Sequence, residues 1–310
     1  MPTPLKKLAA LGLTLGAVVS LYVLVARPWF LSWGATETDR AQTLPGDEIV
    51  PDARGTTRAI TIAAPADEVW PWVAQLGQDR AGFYSYEILE DLAGCQMPQV
   101  TEILPGAQEW RPGDSLWMYP PDKLGGVGSA PLLAMVPGRA LAFGTWRAGS
   151  PHDRPPEGSW AFVVEPVGEE TSRLLVRSRA TDPPSLLARA FDRGFFEAAH
   201  FVMERRMMEG IRGFAEGRPA PSRAAERAEI LVWAGMAAVF VWGIVAVLRR
   251  KRWAAPLVVT GAAAIGFQIL TLAQPPVFVG GVLLAVLAGI LLRGPSLRRP
   301  TAPAALPVAG

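Results

Sequence analysis

The feature that most constrains the fold of this 310-residue chain is a set of four apolar segments that contain no charged residue. They cover residues 8–26, 230–248, 254–272 and 277–292. An α-helix of about 20 apolar residues, rising ~1.5 Å per residue, crosses the ~30 Å hydrocarbon core of a bilayer. Because lipid offers no partner for backbone N–H and C=O groups, such a segment spans the membrane as a helix. The sequence therefore predicts one N-terminal and three C-terminal transmembrane helices.

Clusters of basic residues predict how these helices are oriented. Lys6 and Lys7 precede the first segment, residues 249–252 (RRKR) follow the second, and three arginines follow the fourth. Since cytoplasmic loops carry an excess of Lys and Arg, we expect both termini and the 249–252 loop in the cytoplasm and residues 30–227 outside it. Arg outnumbers Lys by 26 to 4, which is typical of a GC-rich bacterial genome. Together with the four apolar segments, this predicts a multi-pass protein of a bacterial cell membrane. Two alternatives stay open: residues 1–26 are a cleaved signal peptide, or the third and fourth segments are re-entrant.

The distribution of charge excludes a nucleic-acid partner. Residues 29–227 contain 20 basic and 27 acidic residues, so their net charge is −7, and the basic surplus of the whole chain comes from the flanks of the apolar segments. One Cys and two His do not supply the four ligands that a structural zinc site needs. The sequence also has no phosphate-binding loop, dinucleotide fingerprint or nucleophile elbow, so no metal and no cofactor are predicted.

Hydrophobic periodicity predicts an α+β domain between the first two apolar segments. We expect strands at 57–63, 100–104, 114–119, 132–136, 140–146, 159–165 and 173–181, and helices at 65–77, 84–92 and 185–216. The last four strands form two hairpins. In the final strand Arg173, Arg177 and Arg179 share one parity and Leu174, Val176 and Ser178 share the other, which indicates a sheet with one wet and one dry face. The dry face is expected to pack against the long C-terminal helix.

These patterns divide the chain into six parts. They are an N-terminal transmembrane helix (1–29), an extended lead-in (30–56), the α+β domain (57–218), a linker (219–229), three transmembrane helices (230–293) and a disordered cytoplasmic tail (294–310).

Four stretches of the α+β domain resemble a known superfamily. They are 60–72 (ITIAAPADEVWPW), 80–87 (RAGFYSYE), 111–114 (RPGD) and 201–207 (FVMERRM). They are similar to the START-like, polyketide-cyclase-like "helix-grip" superfamily (SRPBCC), and to a membrane-attached bacterial branch of it, over residues 57–216. The resemblance implies a curved antiparallel sheet around the long helix, with an apolar cavity between them. It implies no single function, because the superfamily includes lipid carriers, aromatase/cyclases, hydrolytic enzymes and binding proteins.

Aromatic residues are the most conspicuous candidates for a ligand site. Most of them are expected in the core, but pockets for hydrophobic molecules are lined by aromatic side chains with a few polar groups. Our candidates for ligand binding are Trp72, Tyr84, Tyr86, Trp117, Trp146, Trp160, Phe191 and Phe195. The partner that they indicate is a lipid or another hydrophobic small molecule, taken up near the membrane.

Three residues are candidates for acid–base chemistry: Glu87, Tyr84 and His200. Glu197 and Glu204 lie at helical offsets from which either could orient His200. The structural alternatives are a solvated Glu87, a His200 that is part of the core, and a solvated helix face at residues 204–206. Three functions stay open: binding of a hydrophobic ligand, a cyclase/aromatase-like or hydrolytic enzyme, and a non-catalytic structural or sensor module. The sequence does not determine the oligomeric state.

Overall fold

The computed structural model describes residues 4–98, 100–120, 122, 128–147, 154–220 and 222–293. Its elements are α1 (Pro4–Leu21), α2 (Arg27–Leu31), α3 (Glu37–Ala41), β1 (Arg54–Ile62), α4 (Ala66–Ala74), α5 (Glu87–Leu92), β2 (Ser115–Trp117), β3 (Ser129–Val136), β4 (Ala140–Thr145), β5 (Gly158–Gly168), β6 (Thr171–Ala180), α6 (Leu186–Phe191), α7 (Glu197–Ala215), α8 (Arg223–Arg249), α9 (Ala254–Ala273) and α10 (Val277–Leu292). They fall into two compact units, Met1–Tyr22 with Ala228–Gly310, and Val23–Arg227. The predicted tail 294–310 lies outside the described residues.

The Val23–Arg227 unit contains a six-stranded antiparallel sheet in the order β1-β6-β5-β4-β3-β2. The two predicted hairpins, β3–β4 and β5–β6, are confirmed. The predicted strand at 100–104 is wrong. Backbone groups of this segment form hydrogen bonds with the Gln75 side chain and not with a neighbouring strand. The Gln75 amide donates to the Glu102 carbonyl at 3.0 Å and accepts from the Leu104 N–H at 2.9 Å.

The inner face of the sheet packs against α4 and α7 to form the main core. α4 contributes Val69 and Val73, and α7 contributes Met207 and Ile211, all of them buried with Ile62 of β1. Full burial of a side chain of this size stabilises the fold by about 1.5–3 kcal/mol relative to an exposed one. A sheet whose dry face is covered by the last long helix is the arrangement that the helix-grip resemblance predicts, and the α+β class is confirmed.

The outer face of the sheet is covered too, so the prediction of a wet face is wrong. The lead-in contains α3 and packs Leu44 against Ala59 and Leu175 of the sheet in a second, smaller core. Arg177 is 6% exposed and ion-pairs with Asp47 of the lead-in at 2.6 Å. The arginines of β6 point outward as expected, but they bind the lead-in and not water.

The long C-terminal helix begins where it was predicted but contains an irregularity. Ser185 caps it by accepting from the Ala188 N–H at 3.1 Å, and α6 and α7 are joined by a π-helical turn, Asp192–Phe196. An α-helix rotates by about 100° per residue, so the wider turn shifts the face of α6 relative to that of α7. Although one helix is predicted over 185–216, the large apolar residues of α6 are exposed, whereas α7 buries Phe201, Met207 and Ile211.

The other unit consists of apolar helices. Three helices are long and apolar enough to span a membrane, namely Pro4–Leu31, Arg223–Arg249 and Ala254–Ala273, and Val277–Leu292 is a shorter apolar helix. Within this unit small residues lie at helix contacts, as is typical of membrane helices. An added Cβ on Gly243 would lie 2.4 Å from Thr260 Oγ1, and one on Gly280 would lie 2.7 Å from Val232 Cγ1.

Basic residues of this unit meet at one end of its helices. The Lys7 ammonium donates to the carbonyls of Leu248 (3.0 Å), in the last turn of α8, and of Arg250 (2.8 Å), the residue after it. The Arg250 guanidinium donates to the Leu291 carbonyl of α10 at 2.9 Å. The beginning of α1 and the ends of α8 and α10 thus lie together, and cations there stabilise the free carbonyls of the helix ends.

Candidate functional site

A buried ion pair lies between the sheet and the last helix of the Val23–Arg227 unit. The Arg58 guanidinium of β1 donates to Glu204 of α7 at 2.6 Å, and their side chains are 1% and 0% exposed. The indole N–H of Trp160 donates to the second Glu204 oxygen at 3.0 Å, and Arg58 Nε donates to the Phe30 carbonyl at 2.9 Å. Both Glu204 oxygens therefore have a donor, as a buried carboxylate requires.

The sequence pattern explains why Arg58 is inside. In a strand, residues two apart share a face, so Arg58 points to the same side as the buried Ile60 and Ile62. Its guanidinium also lies over the Phe201 ring, 4.9 Å from the centroid. Glu204 is not part of a solvated helix face, as was predicted for residues 204–206. The period of α7 turns Glu204 toward Arg58.

His200 lies one helical turn before Glu204 and is the titratable group of this cluster that reaches the surface. Its side chain is 30% exposed, and its Nε2 lies 3.7 Å from Glu204 Oε2, beyond direct hydrogen-bonding distance. The ring stacks on Phe196 at 5.9 Å and meets Trp160 edge-on at 5.5 Å. Burial lowers the pKa of His200; the Glu204 carboxylate opposes this shift and the Arg58 charge adds to it. The imidazole is therefore neutral near pH 7 and can accept a hydrogen bond or a proton.

Large apolar side chains are exposed on α6 and on the π-helical turn that precedes α7. Five of them fall between residues 186 and 196 and are 55–82% exposed: Leu186, Leu187, Phe191, Phe195 and Phe196. Phe191 and Phe195 contact each other at 5.3 Å between ring centroids. Clusters of this kind on a protein surface are typical of interaction or ligand sites.

Tyr84 and Trp72, two predicted ligand-binding residues, lie in the core between α4 and α7. Trp72 stacks on Phe214 at 4.8 Å, and Tyr84 meets the same ring edge-on at 5.4 Å. The Tyr84 hydroxyl accepts from Gln75 Nε2 at 2.8 Å. Burial raises the pKa of Tyr84 well above its ordinary value although the bond with Gln75 opposes the shift, so the phenol stays protonated. This geometry is that of a structural residue and not of an acid–base catalyst.

Tyr86 and Glu87, at the start of α5, have partners of their own. Tyr86 is fully buried, with the Arg206 guanidinium 4.9 Å from its ring centroid. The Glu87 carboxylate is ion-paired with Arg223 at 2.7 Å. Glu87 is therefore not the solvated residue that its structural alternative required. None of these contacts connects it with His200.

Trp117 and Trp146 are half-buried at separate places. Trp117, on β2, lines a surface concavity of about 250 Å³ together with Asp79, Arg80 and Asp114. The Trp146 indole, which follows β4, donates to the Arg154 carbonyl at 3.0 Å. His152, which is expected in an exposed loop, lies outside the described residues.

Aromatic rings fill the space where the resemblance implies a cavity. Phe83 stacks on Trp160 at 5.9 Å, and Trp110 meets Phe143 edge-on at 5.1 Å. Two surface concavities are present among the described residues, and neither is lined by both the sheet and α7. One is the concavity at Trp117, and the other, of about 220 Å³, lies along the C-terminal half of α7.

The predicted site residues thus lie in separate regions. The structure brings Trp160 next to His200, and it brings Phe191 next to Phe195, but it does not unite all eight ligand candidates around one space. Sequence reasoning missed Arg58. Its position two residues before Ile60, on the dry face, was the signal that could have revealed it.

Comparisons with known proteins give similarities of fold at low sequence identity. No family model matches the chain, and no curated protein matches it. Solved structures similar to it include the ZhuI aromatase/cyclase from Streptomyces sp. R1128, with 16% identity over 53% of this chain and 93% of that one and a TM-score of 0.31. A polyketide cyclase-like protein from Corynebacterium glutamicum has 17% identity, coverage of 54% and 88%, and a TM-score of 0.24. An AHSA1-like protein from Rhizobium etli has 17% identity, coverage of 56% and 88%, and a TM-score of 0.28.

Proposed function

We propose that this chain is a membrane-anchored protein whose α+β domain binds a lipid or another hydrophobic small molecule at a site formed by Phe196 and His200. The observation that carries the proposal is the exposed Phe196 ring, stacked on a neutral, partly exposed imidazole. The apolar body of a ligand would lie against the Phe196 ring, and its polar group would bond to His200. This division matches sites in which many apolar contacts are combined with a few polar groups.

The anchoring part of the proposal is that four helices span the membrane, with both termini in the cytoplasm and residues 30–227 outside. Three helices have the length and composition for this, and α10 is the fourth candidate. The bonds from Lys7 to the end of α8, and from Arg250 to the end of α10, support one common end for the basic clusters. If the chain crosses the membrane four times, its two ends and the loop between α8 and α9 all lie on the same side, which matches this common end.

The ligand is expected at the open end of the domain and not in an enclosed cavity. The interior between the sheet and α7 is occupied by rings such as Phe83 and Trp160, and the buried pair of Arg58 and Glu204 lies behind His200. Tethering by membrane helices on both sides of the domain raises the effective concentration of a ligand that comes from the bilayer.

A comparison of two matched variants tests this site. Phe196→Glu puts a charge on the proposed binding surface, and Leu92→Glu puts the same charge on a residue at the end of α5 that is 83% exposed. The full chain is purified in mild detergent, extracted with organic solvent and analysed by mass spectrometry. We expect a hydrophobic molecule in near-stoichiometric amount with the wild type and L92E, and its loss with F196E. Equal retention by both variants, or no molecule with the wild type, would contradict the proposal.

The packed interior favours a second candidate, a non-catalytic structural or sensor module whose own aromatic rings fill the domain. This candidate predicts that no molecule is extracted from the wild-type chain. The enzyme alternative has one supporting observation, the neutral His200 one turn from the Glu204 carboxylate. Both oxygens of Glu204 are already bonded, by Arg58 and by Trp160. Support for an enzyme therefore requires a functional result: a His200→Gln variant that still binds the extracted ligand but no longer converts it.

A further inference from the structure

Contacts within the Val23–Arg227 unit show how α2 lies along α7. Arg27 forms a two-pronged ion pair with Glu197, at 2.6 and 2.7 Å. One turn later Phe30 stacks on Phe201 at 5.3 Å, and after a further turn the Arg205 guanidinium lies 4.9 Å from the Trp33 ring centroid. Each step of three residues in the first helix matches a step of four in the second, so the two helices run in the same direction.

This direction places two apolar stretches at one end of the unit. Followed backward from Arg27, the first chain continues through Val23, Leu24 and Val25, which are 48–73% exposed and belong to the apolar helix Pro4–Leu31. Followed backward from Glu197, the second chain continues through the π-helical turn into α6. Both exposed apolar stretches therefore lie on the same side of the Arg27–Glu197 pair.

The exposed apolar residues of α6 and of the π-helical turn have different contacts. Phe196 stacks on His200, which belongs to the site described above. Leu186, Leu187, Phe191 and Phe195 are 59–82% exposed, and we call these four residues the α6 strip. Within the strip, Phe191 and Phe195 contact each other.

We infer that the α6 strip is a bilayer-contacting surface, inserted at the boundary between headgroups and acyl chains on the same side of its unit as Val23, Leu24 and Val25. The inference rests on the anchoring part of the proposed function. Leu and Phe on one face of a helix, with arginines beside them, are typical of helices that lie in the membrane interface. Arg189 belongs to the same helical stretch and supplies a cation that attracts anionic headgroups, whereas Arg193 is ion-paired with Asp182 at 3.6 Å. Lipid covers the strip in the membrane, which removes the exposure of four large apolar side chains.

The inference is tested by depth-dependent quenching in the full chain. Single cysteines replace Leu187 in the strip, Leu13 of α1 as the membrane reference, and Val167 near the end of β5 as the solvent reference. These side chains are 82%, 77% and 64% exposed. Each L187C, L13C or V167C chain, in a C95A background, carries an NBD fluorophore and is reconstituted in vesicles of phosphatidylethanolamine and phosphatidylglycerol. If C95A does not fold, the buried Cys95 is kept and the labelled wild type gives the background.

We expect lipids with a doxyl group on the acyl chain to quench L187C and L13C and to leave V167C unchanged. Quenching of L13C without quenching of L187C overturns the inference and leaves the anchoring intact. If neither is quenched, the anchoring fails and the inference fails with it. A blue-shifted L187C signal that lipid does not quench, and that grows with the ratio of protein to lipid, shows contact with a second chain and also overturns the inference.

Discussion

Replacement of Glu204 by Leu tests how the buried centre of the domain is held. The variant removes the carboxylate that pairs with Arg58 and accepts from the Trp160 indole. The guanidinium of Arg58 is then left 1% exposed without the Glu204 counter-charge, and it keeps its hydrogen bond to the Phe30 carbonyl. The double variant R58M/E204L removes both charges and restores an apolar interior.

The two variants differ strongly in the free energy of unfolding that they are expected to lose. An uncompensated buried charge costs about 3–5 kcal/mol, whereas replacement of a whole buried pair by apolar residues is often close to neutral. For a unit of roughly 200 residues, 1 kcal/mol shifts the unfolding midpoint by about 2–4 °C. We therefore expect E204L to lower the midpoint by about 6–20 °C and R58M/E204L to recover most of that loss.

The midpoint is measured by tryptophan fluorescence of the full chain in detergent, with an exposed pair as the control. Arg111 and Glu109 are 77% and 75% exposed and lie 2.8 Å apart, so R111M is expected to leave the midpoint unchanged. An E204L midpoint equal to that of the wild type, or a double variant as unstable as the single one, would refute the reasoning that the pair is buried and mutually dependent.

Three further predictions use the same unfolding measurement. Because the pKa of His200 is lowered in the folded chain, the unfolded chain binds more protons at this residue. The free energy of unfolding is therefore expected to fall as the pH drops below about 6.5 and to level off below the folded pKa. His200→Gln should flatten this part of the stability-versus-pH curve, and an unchanged slope would contradict the prediction. Gly210→Ala puts a Cβ 2.7 Å from the Tyr84 carbonyl oxygen and should lower the free energy of unfolding by about 1–3 kcal/mol. The control Gly213→Ala meets open space and should raise it slightly. Equal midpoints for the two variants would contradict the close approach of Gly210 to Tyr84. Burial alone would raise the pKa of Asp39, but hydrogen bonds from Arg173 and Thr36 outweigh it and lower that pKa. Asp39→Asn should therefore reduce the free energy of unfolding near neutral pH and have less effect in acid. The same variant should speed amide exchange over residues 37–41.

The elements of the sheet could be predicted because their signals are local. Alternation and turn residues located β3, β4, β5 and β6, and Ser185 marked the start of the last helix. The inward-pointing residues of β1 could also have been predicted, because Arg58 shares the parity of Ile60 and Ile62. The buried pair needed only the further step of matching Arg58 with an acid on α7.

The remaining features depend on contacts between distant parts of the chain. Asp39 and Asp47 bind arginines of β6 more than 125 residues away, and no periodic signal announces that the lead-in folds over the sheet. The π-helical turn is a second case. It shifts Phe191 and Phe195 off the stripe of α7 that reaches the core, which explains why two predicted pocket residues are exposed.

The most direct test of ligand binding at the open end of the domain is photo-crosslinking from position 196. A benzophenone amino acid replaces Phe196 in the full chain, and Leu92 is replaced in the same way as the control; cells are irradiated before purification, and the intact mass is measured. We predict an adduct with a hydrophobic small molecule at position 196 and none at position 92. Adducts with protein alone, or the same small-molecule adduct at both positions, would contradict the proposed site.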